Sequence, residues 1–82
     1  MLERDLGPLH LTLLPDPAGN VEVLVSFPGW SGSAFFPAPV ADEALLEFSD
    51  IETPNDLEDL FRPWADEETW AAYQELRNRE GF

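Results

Sequence analysis

Few residues in this chain could carry out nucleophilic or acid–base chemistry. It contains one histidine (His10), four serines and no cysteine. Hydrolysis by a Ser-His-Asp triad needs a serine held beside a base, often in a sharp G-x-S-x-G turn. The nearest approach is Gly29-Trp30-Ser31-Gly32, in which the second glycine comes one residue too early. His10 is expected on the solvent-facing side of a strand. We therefore predict no catalytic residue and no enzymatic activity.

The sequence also lacks the motifs of the common metal and cofactor sites. The segment from Asp50 to Asn55 begins like an EF-hand calcium loop, but such a loop needs glycine at its sixth position and glutamate at its twelfth. Asn55 and Phe61 stand at those two positions. A single histidine is too few for a transition-metal site. Gly29 and Gly32 lack the lysine and the helix that follow the glycines of a phosphate-binding loop. The sequence predicts no metal and no cofactor.

Carboxylates are the one abundant functional group. The net charge is −13, and eleven of the seventeen acids lie within residues 42–68 beside a single arginine, Arg62. The helix dipole favours acids in the first turns of predicted helices, which explains about half of the eleven by ordinary placement rules. Within this stretch, only Arg62 follows an acid, Glu58, at the i+4 spacing of a helical ion pair. The stretch therefore tolerates self-repulsion, which lowers the stability of a small domain.

Such a surface suits a protein that competes with a polyanion for a basic groove. Carboxylates three residues apart on a helix, as Asp56 and Asp59 would be, stand about 5–6 Å apart and approximate successive phosphates. Direct binding to nucleic acid or to an anionic membrane is excluded, because both need clustered Lys or Arg and the chain has no lysine. The acids predicted to bind a partner are Asp50, Glu52, Asp56, Glu58, Asp59, Asp66 and Glu67.

In size, charge and lack of lysine, cysteine and catalytic residues, the chain resembles small acidic proteins that phages and mobile elements encode against nucleic-acid-binding defence machinery. Anti-CRISPR proteins that mimic DNA are the closest such class. The resemblance is one of composition over the whole chain, and no motif such as Thr53-Pro54-Asn55-Asp56 carries it. It implies a non-catalytic inhibitor that blocks the DNA site of a nucleic-acid-binding protein or complex, in the cytoplasm of a host cell.

An alternative interpretation rests on aromatic residues. Trp30, expected in a turn, and Trp64, beside Pro63, could be exposed interface anchors of an antitoxin, an immunity-type protein or an adaptor that binds a basic partner. The alternative is that both cap the ends of a small core. An exposed strand edge at Phe35 and Phe36 could pair two copies into a homodimer.

The first half of the chain must position these groups on strands. Apolar and polar residues alternate from Leu9 to Leu13 and from Val21 to Phe27, which predicts two strands joined by a Pro- and Gly-containing loop into a hairpin. The residues expected on its buried face are Leu9, Leu11, Leu13, Val21, Val23, Val25 and Phe27. A third strand is predicted from Ser33 to Phe36, after a turn over residues 28–32, and Pro37 ends it or forces it to a sheet edge. Residues 1–40 are thus expected to form mainly a three-stranded β meander.

The second half changes its hydrophobic period. The segment from Ala41 to Phe48 is compatible with a short helix that has Leu45 and Phe48 facing inward, or with a fourth strand from Leu45 to Phe48. Thr53 and Pro54 predict a helix start, and Pro63 its end. A further helix is predicted from Asp66 to about Arg79. The residues of these two helices that are expected to face inward are Leu57, Leu60, Phe61, Trp70, Tyr73 and Leu76. The fold class is therefore α+β, with a small three- to four-stranded antiparallel sheet followed by two or three short helices packed on it.

Length and composition set the scale. Eighty-two residues, 44% of them hydrophobic, predict one domain that folds in spite of its charge. Residues 1–40 supply its β part, and residues 41–82 its acidic helical part. The chain has no cysteine, no apolar run near 18 residues and no signal-peptide pattern, which predicts a cytoplasmic protein that does not insert into membranes.

Overall fold

The computed structural model describes residues 1–81 and has the α+β architecture that the sequence predicts. A four-stranded antiparallel sheet, with its strands in chain order, precedes three helices. The elements are β1 (Leu2–Leu6), β2 (Leu9–Pro15), β3 (Val21–Phe27), β4 (Trp30–Phe36), α1 (Ala38–Asp50), α2 (Pro54–Phe61) and α3 (Glu67–Glu80). No helix within residues 1–81 is both long and apolar enough to cross a bilayer.

The predicted hairpin is confirmed, since β2 and β3 pair in antiparallel orientation. Asp16 organises the connecting loop, because its carboxylate accepts the backbone N–H groups of Ala18 at 2.8 Å and Asn20 at 3.0 Å. Phe27 was expected on the buried face and is only partly buried there. The buried side chains of the two strands are Leu9, Leu11, Leu13, Val21, Val23 and Val25.

The first strand, β1, was not predicted, and it makes the meander four-stranded. Three of its five residues are charged, which hides the apolar alternation of Leu2 and Leu6. Arg4 lies between them and pairs in register with the buried Leu11. Its guanidinium donates to the backbone carbonyls of Phe48 at 2.8 Å and Ser49 at 3.0 Å, in the last turn of α1. A cation at a helix C-terminus is favourable, so Arg4 joins β1 to α1.

The last strand, β4, begins three residues earlier than the sequence predicts. The turn before it consists of Pro28 and Gly29 alone, with Gly29 at φ 88°, and Phe27 pairs directly with Trp30. Trp30 is therefore a strand residue and not a turn residue. As predicted, the strand ends before Pro37 and lies at a sheet edge.

The segment that the sequence left open between helix and strand is helical. Pro37 occupies the N-cap position of α1, and the Ala38 N–H donates to the side-chain oxygen of Asn20 at 2.9 Å. Phe48 is buried as expected of a helix, but Leu45 is 40% exposed instead of facing inward. The residues of α1 that are buried besides Phe48 are Ala41 and Ala44. These small side chains at i and i+3 allow the helix to lie close to the sheet.

Both later helices begin and end as predicted. Thr53 accepts the Asp56 N–H and Asp56 accepts the Thr53 N–H, which forms a capping box at the start of α2. Asp66 caps α3, and Gly81 ends it at φ 72°. Trp70, predicted to face inward, is partly buried. The fully buried residues of the two helices are Leu57, Leu60, Phe61, Tyr73 and Leu76, as the pattern indicated.

The helices cover one face of the sheet and leave the other face open. On the covered side, Tyr73 is fully buried and contacts three aromatic rings, with centroid distances of 6.1 Å to Trp30, 6.1 Å to Phe61 and 5.6 Å to Trp70. These contacts join α2, α3 and β4 around one side chain. Aromatic pairs of this geometry add to the free energy of burial.

On the open face, His10 lies between two carboxylates of β1. Its Nδ1 is 2.7 Å from Asp5 Oδ1 and its Nε2 is 3.1 Å from Glu3 Oε1. Only the doubly protonated imidazolium can donate to both acids at once. The hydrogen bond to Asp5, followed by that to Glu3, raises the pKa of His10 above its ordinary value. The charged histidine therefore helps to hold β1 on β2.

We expect the stability of the protein to depend on pH through His10. Because the folded-state pKa is raised, this contribution is complete below the unfolded-state pKa of about 6.5 and is lost as pH rises through the higher folded value. Urea denaturation between about pH 6 and about pH 9 should show a fall in the free energy of unfolding that is smaller in His10→Gln. Identical pH profiles for the two proteins would contradict the role of His10.

Candidate functional site

The strongest concentration of carboxylates is a groove between α1 and α2. Its volume is about 210 Å³, and Leu60 is its apolar lining residue. Glu47 and Asp50 line it from α1, whereas Asp56 and Asp59 line it from α2. Each helix thus contributes two carboxylates at i and i+3, the spacing that places side chains on one helix face. We call this feature the α1–α2 groove.

The groove brings together three of the predicted partner-binding acids, Asp50, Asp56 and Asp59. Its fourth carboxylate, Glu47, was not among them. The signal for it was present, since Glu47 and Asp50 repeat on α1 the spacing of Asp56 and Asp59 on α2. It was missed because the segment could not be assigned to a helix from its sequence.

Asp56 also maintains the local structure. One oxygen of its carboxylate accepts the backbone N–H groups of Glu52 at 3.0 Å and Thr53 at 3.1 Å. These two hydrogen bonds, first that from Glu52, lower the pKa of Asp56. The carboxylate is therefore ionised and held in place at the N-terminus of α2. Glu52 is exposed in the linker between the helices, but its side chain does not line the groove.

Asp66 and Glu67 lie apart from the groove, at the start of α3. The Asp66 carboxylate accepts the Thr69 N–H at 2.7 Å, and this bond lowers the pKa of Asp66. Glu67 is exposed in the first turn, where the helix dipole favours it. Both residues are placed as ordinary helix-start acids, and the structure does not join them to the other candidates.

Glu58 is paired with a cation from another helix. Its carboxylate forms an ion pair with Arg77 of α3 and not with Arg62, to which the i+4 spacing points. It also accepts the Tyr73 hydroxyl at 3.3 Å, and only 21% of its side chain is exposed. Burial raises the pKa of the Tyr73 phenol, and the negative charge of Glu58 adds to this effect. Glu58 thus connects α2 to α3 from within the fold.

Arg62 places its guanidinium against an aromatic ring instead of pairing with a nearby carboxylate. Its guanidinium carbon lies 5.5 Å from the centre of the Trp70 ring, a cation–π geometry. Within residues 1–81 it forms no ion pair. Arg62 lies with Glu58 and Asp59 around a neighbouring pocket, whereas the side chains that line the α1–α2 groove include no basic residue.

The two tryptophans proposed as anchors are placed differently. Trp30 is partly buried on the covered face of β4, and its ring lies so close to Gly32 that a Cβ there would approach it to 2.9 Å. Trp64 is 42% exposed and packs against Phe36 at 5.8 Å. The structure therefore favours core packing for Trp30 and leaves Trp64 accessible.

The strand register places Asp5, His10, Ser26 and Ser31 in one row across the open face. The order of side chains superficially matches a catalytic triad. Both ring nitrogens of His10, however, contact carboxylates, those of Asp5 and Glu3. A triad requires one nitrogen to face the serine. Within residues 1–81, neither Ser26 nor Ser31 contacts a ring nitrogen of His10.

Residues 1–81 also contain no group of three histidine or carboxylate side chains that could hold a metal ion.

Comparisons of the chain with protein-family models, with curated proteins and with solved structures find no match.

Asp56 both caps α2 and lines the groove, so its structural role can be tested against that of Asp59, which only lines the groove. We expect Asp56→Ala to lower the free energy of unfolding, because it removes half of the capping box. Asp59→Ala removes the same charge from the same groove without losing a hydrogen bond, so it should leave stability unchanged or raise it slightly. Urea denaturation of both variants measures the difference. Equal destabilisation would mean that the cap contributes nothing.

The uncompensated charge leads to a second test. We expect the melting temperature to rise when NaCl is increased from about 0.01 M to about 0.1 M, because the Debye length falls from about 30 Å to about 10 Å and like charges repel less. Calorimetry at constant pH measures it. Chloride should be the anion, since sulfate also strengthens apolar burial. A flat or falling melting temperature would show that the acids are already compensated.

Proposed function

We propose that the protein is a non-catalytic acidic inhibitor that occupies the basic groove of a nucleic-acid-binding protein or complex. It would exclude DNA by imitating its charge, in the manner of anti-CRISPR proteins that mimic DNA. The observation that carries the proposal is the α1–α2 groove, in which two helices present paired carboxylates without a basic residue among the lining side chains.

The spacing of these carboxylates supports the proposal. The i and i+3 pairs, Glu47 with Asp50 and Asp56 with Asp59, each have the spacing that places Cβ atoms about 5–6 Å apart on one helix face. Duplex DNA carries phosphates at a comparable spacing along each strand, and proteins that bind it display matching Lys and Arg side chains. Two such pairs on neighbouring helices offer those side chains a double row of acids.

Preorganisation supports it further. Asp56 is held by two backbone N–H donors, and α2 is tied to α3 through the ion pair between Glu58 and Arg77. The acids of α2 therefore keep their positions before a partner binds, which lowers the entropic cost of association. The long-range field of a chain with net charge −13 would also accelerate encounter with a basic surface.

The setting of the proposed function is the cytoplasm of a host cell, where nucleic-acid-binding machinery is found. The partner is a protein, and neither direct contact with nucleic acid nor a cofactor is required.

A second candidate is an antitoxin, immunity-type or adaptor protein that binds a basic partner mainly through aromatic side chains. Trp64, which is 42% exposed, and Phe35, which is 53% exposed, favour this reading. Buried aromatic anchors dominate many interfaces. The two candidates differ in whether charge or aromatic area supplies the binding free energy.

The discriminating variants follow from the structure. Asp50 and Asp59 line the groove, make no side-chain hydrogen bond within residues 1–81 and lie near helix C-termini, where lysine suits the helix dipole. We expect Asp50→Lys/Asp59→Lys to slow association with the partner about tenfold or more. Asp42→Lys/Glu75→Lys makes the same change in net charge away from the groove and should have a much smaller effect.

The measurement is a kinetic binding series on the partner recovered from the host cell by affinity capture, at two salt concentrations. The proposal requires steeply weaker binding at the higher salt, competition by nucleic acid and a small effect of Trp64→Ala. If nucleic acid does not compete and Trp64→Ala costs about 2 kcal/mol or more, the aromatic module is the correct reading.

A further inference from the structure

The two edges of the sheet are protected to different degrees. Natural edge strands avoid unwanted pairing by being short or by carrying charges, prolines or bulges. The edge strand β1 is five residues long, and Glu3, Arg4 and Asp5 are all charged. The opposite edge strand, β4, has seven residues with the sequence WSGSAFF and no charge or proline. Its pairing with β3 is continuous from Trp30 to Phe36, without a bulge.

The outer backbone edge of β4 is available for pairing. Within residues 1–81, its N–H and C=O groups form hydrogen bonds only in the ladder with β3. An edge of this kind is a template for a further strand, because each added backbone hydrogen bond satisfies a group that otherwise needs water. Phe35, 53% exposed on the open face, would pack against the added strand.

The charges around β4 indicate what kind of strand it would accept. Thr69 in the first turn of α3 packs over β4, since a Cβ on Gly32 would lie 2.9 Å from its methyl group. Three acids, Asp66, Glu67 and Glu68, immediately precede Thr69. On the open face, Glu22 pairs with Phe35. Carboxylates therefore lie near the uncharged edge strand: those at the start of α3 are next to the residue that packs over Gly32, and that of Glu22 is one strand inward on the open face.

We propose that β4 is a docking edge for an extended segment of a partner protein that carries Lys or Arg residues, which adds as a fifth strand. Backbone hydrogen bonds supply the pairing, and the acids at the start of α3, together with the net charge of −13, favour basic side chains. A second copy of this chain fits less well, because it brings a further net charge of −13 to the same border. The inference is independent of the α1–α2 groove, since the two surfaces lie on different elements.

The test uses the full chain and three short peptides as probes. The first alternates lysine and valine, the second alternates glutamate and valine, and the third is the lysine peptide with every second amide N-methylated. N-methylation keeps the charge but removes the N–H groups that pair with an edge. Amide hydrogen exchange, followed by NMR, reports which strand is protected.

We expect the lysine peptide alone to slow exchange in β4, by about tenfold when its concentration exceeds Kd about tenfold. Ser33→Lys, on the edge strand, should weaken this protection, whereas Ser26→Lys, on the same face of the interior strand β3, should not. Asp50→Lys/Asp59→Lys should leave it intact, which separates this proposal from the role of the groove.

Two results would overturn the inference. In the first, β4 exchange does not change, or changes equally with the N-methylated peptide, so that charge alone attracts the probe. In the second, β4 becomes protected without peptide as the protein concentration rises, and sedimentation shows a dimer, which assigns the edge to a second copy.

Discussion

Burial of Tyr73 is the constraint on which the rest of the helical layer depends. Its ring contacts β4 through Trp30 and α2 through Phe61, so one fully buried side chain fixes three elements. Its hydroxyl must find a partner in this position, and Glu58 supplies it. Arg77 then balances the charge of this mostly buried carboxylate. The docking of α3 thus determines which acid of α2 turns inward and which acids remain outside.

The carboxylates consequently divide into those that stabilise the fold and those that do not. Glu58 is paired across two helices, and Asp56 and Asp66 cap helix starts, which accounts for three acids by ordinary structural needs. Asp50 and Asp59 have no such duty within the described residues. Neither forms an ion pair within residues 1–81, and no basic residue lines the α1–α2 groove with them. A surface that stabilising contacts do not explain is a reasonable place to look for function.

The sheet separates the two proposed surfaces. Arg4 fastens β1 to the end of α1 and so supports the helix that carries half of the groove. At the other end, β4 carries no charge, and Gly32 lets Trp30 lie against the strand on the covered side. The edge and the groove therefore use different elements, and a substitution in one leaves the other intact.

Local patterns by themselves determined the β2–β3 hairpin, the capped start of α2 and the extent of α3, because alternation and caps act between near neighbours. Only the tertiary structure decided on β1, which depends on pairing with β2 and on an Arg4 contact to Phe48, 44 residues away. It also decided that Leu45 faces outward and that Glu58 chooses Arg77 over Arg62. The direction in which a helix docks sets which of its sides is buried, and sequence spacing does not contain that direction.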